Sequence, residues 1–202
     1  MMRGIILSGI DENQTKSKIF KEAAKLFSDK GYHAVSMREI SERAKVTKPT
    51  IYYYFGSKEG IYKELVRTGI EFANEDVKQI INQKIPAKTK LLLLLKKRFE
   101  HCIKYPEYVR FFMTLFTSTQ RLVLFDEFEH DAERHKQIFI KMIEEGIASG
   151  EFGAGAKPEL AVEIFGAVMF HFTNRQLSSH EKILSDELAE DIVELLFKGL
   201  NE

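Results

Sequence analysis

From Ile19 to Leu196 apolar residues recur at intervals of three and four, and no stretch sustains the apolar–polar alternation of a half-buried strand. In Gln14–Lys30 the residues Ile19, Phe20, Ala23, Ala24 and Phe27 fall on one stripe, and Gly31 supplies the stop. "SMREISERA" carries a capping box, Ser36 with Glu39 three residues on, so a short helix over 37–44 is expected. Ser57 is placed to cap a long helix from Lys58 to about Gln83. Pro86 and Pro106 interrupt the following apolar segments, and "GEFGAGAKPE" separates the helix Phe125–Ser149 from two last helices, about 157–177 and 185–200. The class is all-α, with about nine helices.

A chain of 202 residues, 44% hydrophobic and 30% charged, has enough apolar side chains for a large core and is not of disordered composition. The single cysteine, Cys102, excludes an internal disulfide and points to a reducing, cytoplasmic compartment. No apolar run exceeds that of Leu91 to Leu95, far too short for a bilayer, and "MMRGIILSGI" lacks a signal-peptide core, so no membrane partner is expected. Net charge is zero but unevenly spread. Residues 1–58 hold 11 Lys and Arg against 6 Asp and Glu, whereas the remainder is acidic. A basic first quarter fits an anionic partner, nucleic acid above all.

Inside that basic quarter, a short helix, a tight turn and a second short helix follow within about twenty residues, the outline of a helix-turn-helix. "TKPTIYYYF" is the second helix. Thr47 has the chemistry to cap it, and Pro49 falls in the first turn, where its missing N–H has no intrahelical partner to lose. Successive helical residues stand about 100° apart, so the three tyrosines cannot share a face. Ile51, Tyr54 and Phe55 form the inward stripe with Val46. Lys48, Pro49, Tyr52 and Tyr53 are left outward, with Thr50 at the edge. Phenols beside a lysine suit DNA, where they donate to phosphate oxygens while proline or threonine carbons meet thymine methyls.

The run from Ser36 to Val66 resembles the DNA-binding module of the TetR family of bacterial transcriptional regulators. The resemblance rests on Ile40, Ala44, Val46, Thr50, Tyr52, Tyr54, Phe55, Ser57, Lys58 and Glu59, with Ser36, Thr47, Ile51 and Ile61 as close substitutes. It covers about 50 residues, the first helix included, and the rest of the chain is similar only in its helical, apolar style. Lys45 and Pro49 depart from the family pattern, each standing where glycine is usual.

The resemblance implies a DNA-binding domain over 1–58, made of an N-terminal arm and helices at about 14–30, 37–44 and 48–54, and a helical effector-binding and dimerisation domain over 59–202. The helix 48–54 would enter the major groove. Lys48, Pro49, Thr50 and Tyr53 would meet base edges, and Tyr52, Lys58 and Ser36 would meet phosphates, with Thr47 at the helix start and Lys45 adding a backbone contact. Family members mostly repress, bind pseudo-palindromic operators as dimers, and release DNA when a small molecule enters the C-terminal domain.

That domain is rich in large soft side chains. Phe99, Cys102, Phe111, Phe112, Phe116, Phe139, Met142 and Met169 are candidates for an apolar effector pocket, with His171, Arg110 or Arg175 as polar anchors; packing of the core alone is the plain alternative. The last two helices are apolar over more than one face. Leu160, Ile164, Phe165, Val168 and Phe172 on one, and Ile192, Leu195 and Leu196 on the other, would be buried from two directions. The second direction is supplied by another copy in a two-fold four-helix packing, or by the core of a monomer.

No enzyme is expected, and no metal or cofactor. His130 and His135 beside Asp126, Asp131 and Glu133 read as a charged solvent face. Gly150, Gly153 and Gly155 lack the spacing and preceding strand of a dinucleotide loop. Cys102 and His101 are helix neighbours that point apart. The rival to a DNA-binding regulator is a helical small-molecule-binding or scaffolding protein that has lost specific DNA reading, kept open by Lys45 and Pro49.

Overall fold

The computed structural model describes residues 14–117, 125–179 and 181–200, so the expected N-terminal arm lies outside the described residues. Described secondary structure is helical throughout: α1 (Gln14–Lys30), α2 (Met37–Ala44), α3 (Lys48–Phe55), α4 (Lys58–Ile81), α5 (Ala87–Lys104), α6 (Pro106–Thr117), α7 (Phe125–Ala148), α8 (Pro158–Ser178) and α9 (Asp186–Leu200). The boundaries follow local chemistry. Gly31 leaves α1 with φ 77°, its N–H donating to Phe27 O at 2.9 Å. Ser36 Oγ accepts from the Glu39 amide at 3.1 Å, and Thr47 Oγ1 from the Thr50 amide at 3.3 Å. Ser57 Oγ accepts from the Gly60 amide at 2.9 Å and opens α4.

The chain divides into two compact units. The first comprises residues 1–71 and 107–128, the second 72–106 and 129–202. The first unit thus extends past residue 58: the first part of α4, and α6 from Glu107 on, belong with the helix-turn-helix. The first unit's core is aromatic. Phe27, Tyr62 and Phe111 meet in a cluster with ring centroids 5.3–6.3 Å apart, and Phe20 stacks on Tyr108 at 5.6 Å. Ile19, Ile40, Ile51, Ile61 and Leu65 fill the space between, all fully buried. The Tyr108 hydroxyl donates to Leu65 O at 2.5 Å, and burial raises its pKa well above the ordinary phenol value. Gly69 permits a close approach of α6: a Cβ there would lie 1.9 Å from the Phe112 ring.

The second unit has its own core of Leu91, Leu95, Phe99, Cys102, Ile143, Ala161, Leu184, Ala189 and Val193, with Phe152 and Phe197 packed at 4.4 Å. Lys96 pairs with Glu190 at 2.7 Å and with Asp186 at 3.5 Å, and Lys88 pairs with Glu194, linking α5 to α9 along their exposed edges. The first amides of α5 follow Pro86, which offers no side-chain cap; both Glu151 carboxylate oxygens accept from them instead, Ala87 N and Lys88 N each at 2.8 Å. Gln176 holds the α8–α9 connection, its carbonyl accepting from Ile183 N at 2.8 Å and Leu184 N at 3.0 Å.

Candidate nucleic-acid interface

The turn between α2 and α3 is three residues long, and its first, Lys45, sits in the left-handed region at φ 54°, ψ 45°. Its amide donates to Glu42 O at 3.3 Å, and the Val46 amide to Ser41 O at 3.0 Å, which closes α2 as a glycine would. Lys45 is the one non-glycine residue with positive φ among those described. Val46 packs against the core behind the turn, so the chain enters α3 in a fixed direction.

On α3, Ile51 is fully buried and Phe55 nearly so, while Tyr54 packs partly buried on the same core. The opposite side carries Lys48 and Pro49, both exposed, Tyr52 at 51% and Tyr53 at 83% exposure. The Tyr53 ring meets the edge of Tyr54 at 5.1 Å, which braces it without covering it. Thr50 is half-buried at the rim, its hydroxyl 2.8 Å from that of Thr47. Ser36 is exposed but its oxygen is occupied as the α2 cap. Two phenols, a lysine and a proline thus stand together on a short helix whose other face is locked into an aromatic core.

Lys58 stands differently from its neighbours on the expected surface. Its ammonium donates to Tyr32 O at 3.0 Å and Val35 O at 2.8 Å and lies 4.4 Å from the Tyr32 ring centroid. Nothing local in the sequence signals this, because the acceptors are main-chain carbonyls.

The effector candidates separate between the two units. Phe111 and Phe112 are buried in the core of the first, against Phe27 and Tyr108, and Phe116 is 56% exposed there with its ring 4.8 Å from Phe128. An apolar stripe on α6 identifies a buried face but not the helices that cover it. Phe99, Cys102 and Met142 are buried in the second unit, and Phe139 and Met169 are half-buried there, Phe139 lying 6.2 Å from Phe165. His171 is exposed, away from any core position. On α8 and α9, Phe165 and Ile192 face their own protomer's interior, since both are buried. Leu160, Ile164 and Leu195 remain exposed, with Val168, Phe172 and Leu196 half-covered beside them. Among the described residues no group of three or more His, Cys, Asp or Glu is arranged to hold a metal ion, and no helix is long and apolar enough to cross a membrane.

Residues 19–65 match the family model for bacterial regulatory proteins of the tetR family. The chain is similar to the fatty acid metabolism regulator protein of Bacillus subtilis, 27% identical over 188 residues that cover 91% of this chain and 94% of that protein. Among solved structures it resembles the ketosteroid transcriptional regulator KstR2 of Mycobacterium tuberculosis, with TM-score 0.78 and 16% identity over 94% of this chain and 96% of that one. It also resembles FadR of Bacillus subtilis in complex with stearoyl-CoA, with TM-score 0.67 and 24% identity over 91% and 98% of the two chains.

Proposed function

We propose that the chain, whose residues 19–65 match the family model for bacterial regulatory proteins of the tetR family, is a ligand-responsive transcriptional repressor that reads a pseudo-palindromic operator as a homodimer. The observation that carries this reading is the exposed set Lys48, Pro49, Tyr52 and Tyr53 on a capped helix with a buried back. Large aromatic side chains exposed to this degree lose hydrophobic free energy in water and regain it against a groove. Lys48, Pro49, Thr50 and Tyr53 take the base edges, and Tyr52 the phosphate backbone. Dimerisation through α8 and α9 is supported by Leu160, Ile164 and Leu195, an apolar row left open on the protomer.

The effector is an amphiphile with a long acyl chain. The support is the apolar set Phe99, Cys102, Phe139, Met142 and Met169 of the second unit, together with the likeness to regulators whose names refer to fatty acid metabolism. A gel shift with the DNA upstream of the chain's own reading frame tests both halves. Binding lost in Lys48→Ala and weakened in Tyr52→Phe, and released by stearoyl-CoA, supports the proposal. Binding indifferent to both substitutions and to sequence removes the assigned reading residues. Native mass spectrometry of the purified protein identifies a bound acyl compound directly. A scaffold that has lost DNA reading would show no steep fall of DNA affinity with salt.

A further inference from the structure

Ion pairs occupy Lys30 and two arginines around the helix-turn-helix. Lys30 pairs with Glu39 at 2.5 Å, Arg38 with Glu42 at 2.7 Å and Arg43 with Glu22 at 3.2 Å. Lys45 and Lys48 are exposed and make no ion pair among the described residues. Lys58 is half-buried and turned toward its own chain. From these placements we infer that Lys58 is a positioning residue that clamps the entry to α2, and that the backbone-phosphate contact falls instead to Lys45 in the turn. This rests on the DNA reading proposed above.

An ammonium has three N–H donors, and two of those of Lys58 go to the carbonyls of Tyr32 and Val35. Both bonds are charge-assisted, and the Tyr32 ring covers the group from a further side. Val35 directly precedes Ser36, the cap of α2, so the clamp ties the first turn of α4 to the start of the helix that supports α3. Turning the ammonium out toward a phosphate would cost it these bonds; Tyr32 O would keep the Val35 amide at 3.4 Å, but Val35 O would lose its charged donor.

Lys45 has the opposite character. Its backbone occupies a conformation that favours glycine, and its side chain is exposed beside the start of α3. A lysine at such a position is a backbone outlier, which points to use of its side chain. Projecting from the turn and ion-paired with no carboxylate among the described residues, it adds positive charge where the helix-turn-helix meets the DNA backbone.

The slope of log affinity against log salt separates the two lysines, since each phosphate that is no longer neutralised lowers it by about 0.9 per protomer. The full-length protein is titrated with a mixed-sequence DNA duplex over a series of NaCl concentrations. Lys45→Gly is expected to lower the slope by that amount, because glycine keeps the turn and removes only the charge. Lys58→Met is expected to weaken binding several-fold at every salt concentration with the slope unchanged, and Lys58→Arg to restore it. A lowered slope in Lys58→Met, or an unaltered one in Lys45→Gly, overturns the assignment. Should Lys58→Met fail to fold, reductive methylation of the wild-type protein decides: Lys58 reacts slowly with or without DNA, and Lys45 reacts fast and is protected by DNA. Fast methylation of Lys58, protected by DNA, refutes the clamp. Absence of any DNA binding by the wild type removes the DNA-reading proposal, while methylation of the free protein still reports on the clamp.

Discussion

Lys45 carries a local cost for its place in the turn. An L-residue in the left-handed region is disfavoured by about 1 kcal/mol relative to glycine, so Lys45→Gly is expected to raise stability by about that much. The urea midpoint should move up with an unchanged m value. His135 behaves in the reverse way with pH. Its Nε2 lies 3.1 Å from Asn74 Oδ1, and the Asn74 amide donates to Asp131 at 3.1 Å, which assigns Nε2 as the donor to Asn74. Burial pushes its pKa below 6.5, outweighing Asp131, which raises it; Arg134 adds a smaller push downward. Below pH 6.5 the unfolded chain then binds a proton that the folded protein refuses, so stability falls as pH drops toward the folded value. Urea unfolding at stepped pH should show this slope, and His135→Gln should flatten it by the share of one proton.

Elements were legible in the sequence where their signals are local. The caps at Ser36 and Thr47, the stop at Gly31 and the stripe of α1 each lie within a few residues of the structure they dictate, and the observed helix limits follow them to within a residue or two. The outward set on α3 was legible for the same reason, from the 100° step alone. Glu151 was not, because it caps α5 from 64 residues away and nothing near Pro86 announces it. Removing it strands two helix amides: Glu151→Ala is expected to cost about 1–2 kcal/mol, read as a lower urea midpoint. Phe111 and Phe112 show the same limit from another side. Periodicity told that α6 is buried, but the covering partners are α1 and α4, and only the fold brings them there.

At the scale of the whole molecule, an apolar row on α8 and α9 stands exposed among the described residues. Leu195 is 70% exposed and Leu160 53%, while Phe165 and Ile192 behind them are already buried. A second copy seated on that row would be broken by a charge at its centre. Leu195→Glu is therefore expected to shift the protein to monomers in analytical ultracentrifugation, with a protomer stability changed by no more than about 0.5 kcal/mol. Operator affinity should fall with it, because each half-site would be held by a single reading helix.

The tight seat of Phe112 over Gly69 has a practical consequence for anyone recombining regulators. A chimera that moves only residues 1–58 onto a foreign body would leave behind Tyr62, Leu65, Tyr108 and Phe111, the wall on which Phe20 and Phe27 rest. Such a graft carries the proposed reading helix without the core that holds it. A transplantable biosensor module has to include residues 59–71 and 107–117 from the same parent, with glycine retained at 69.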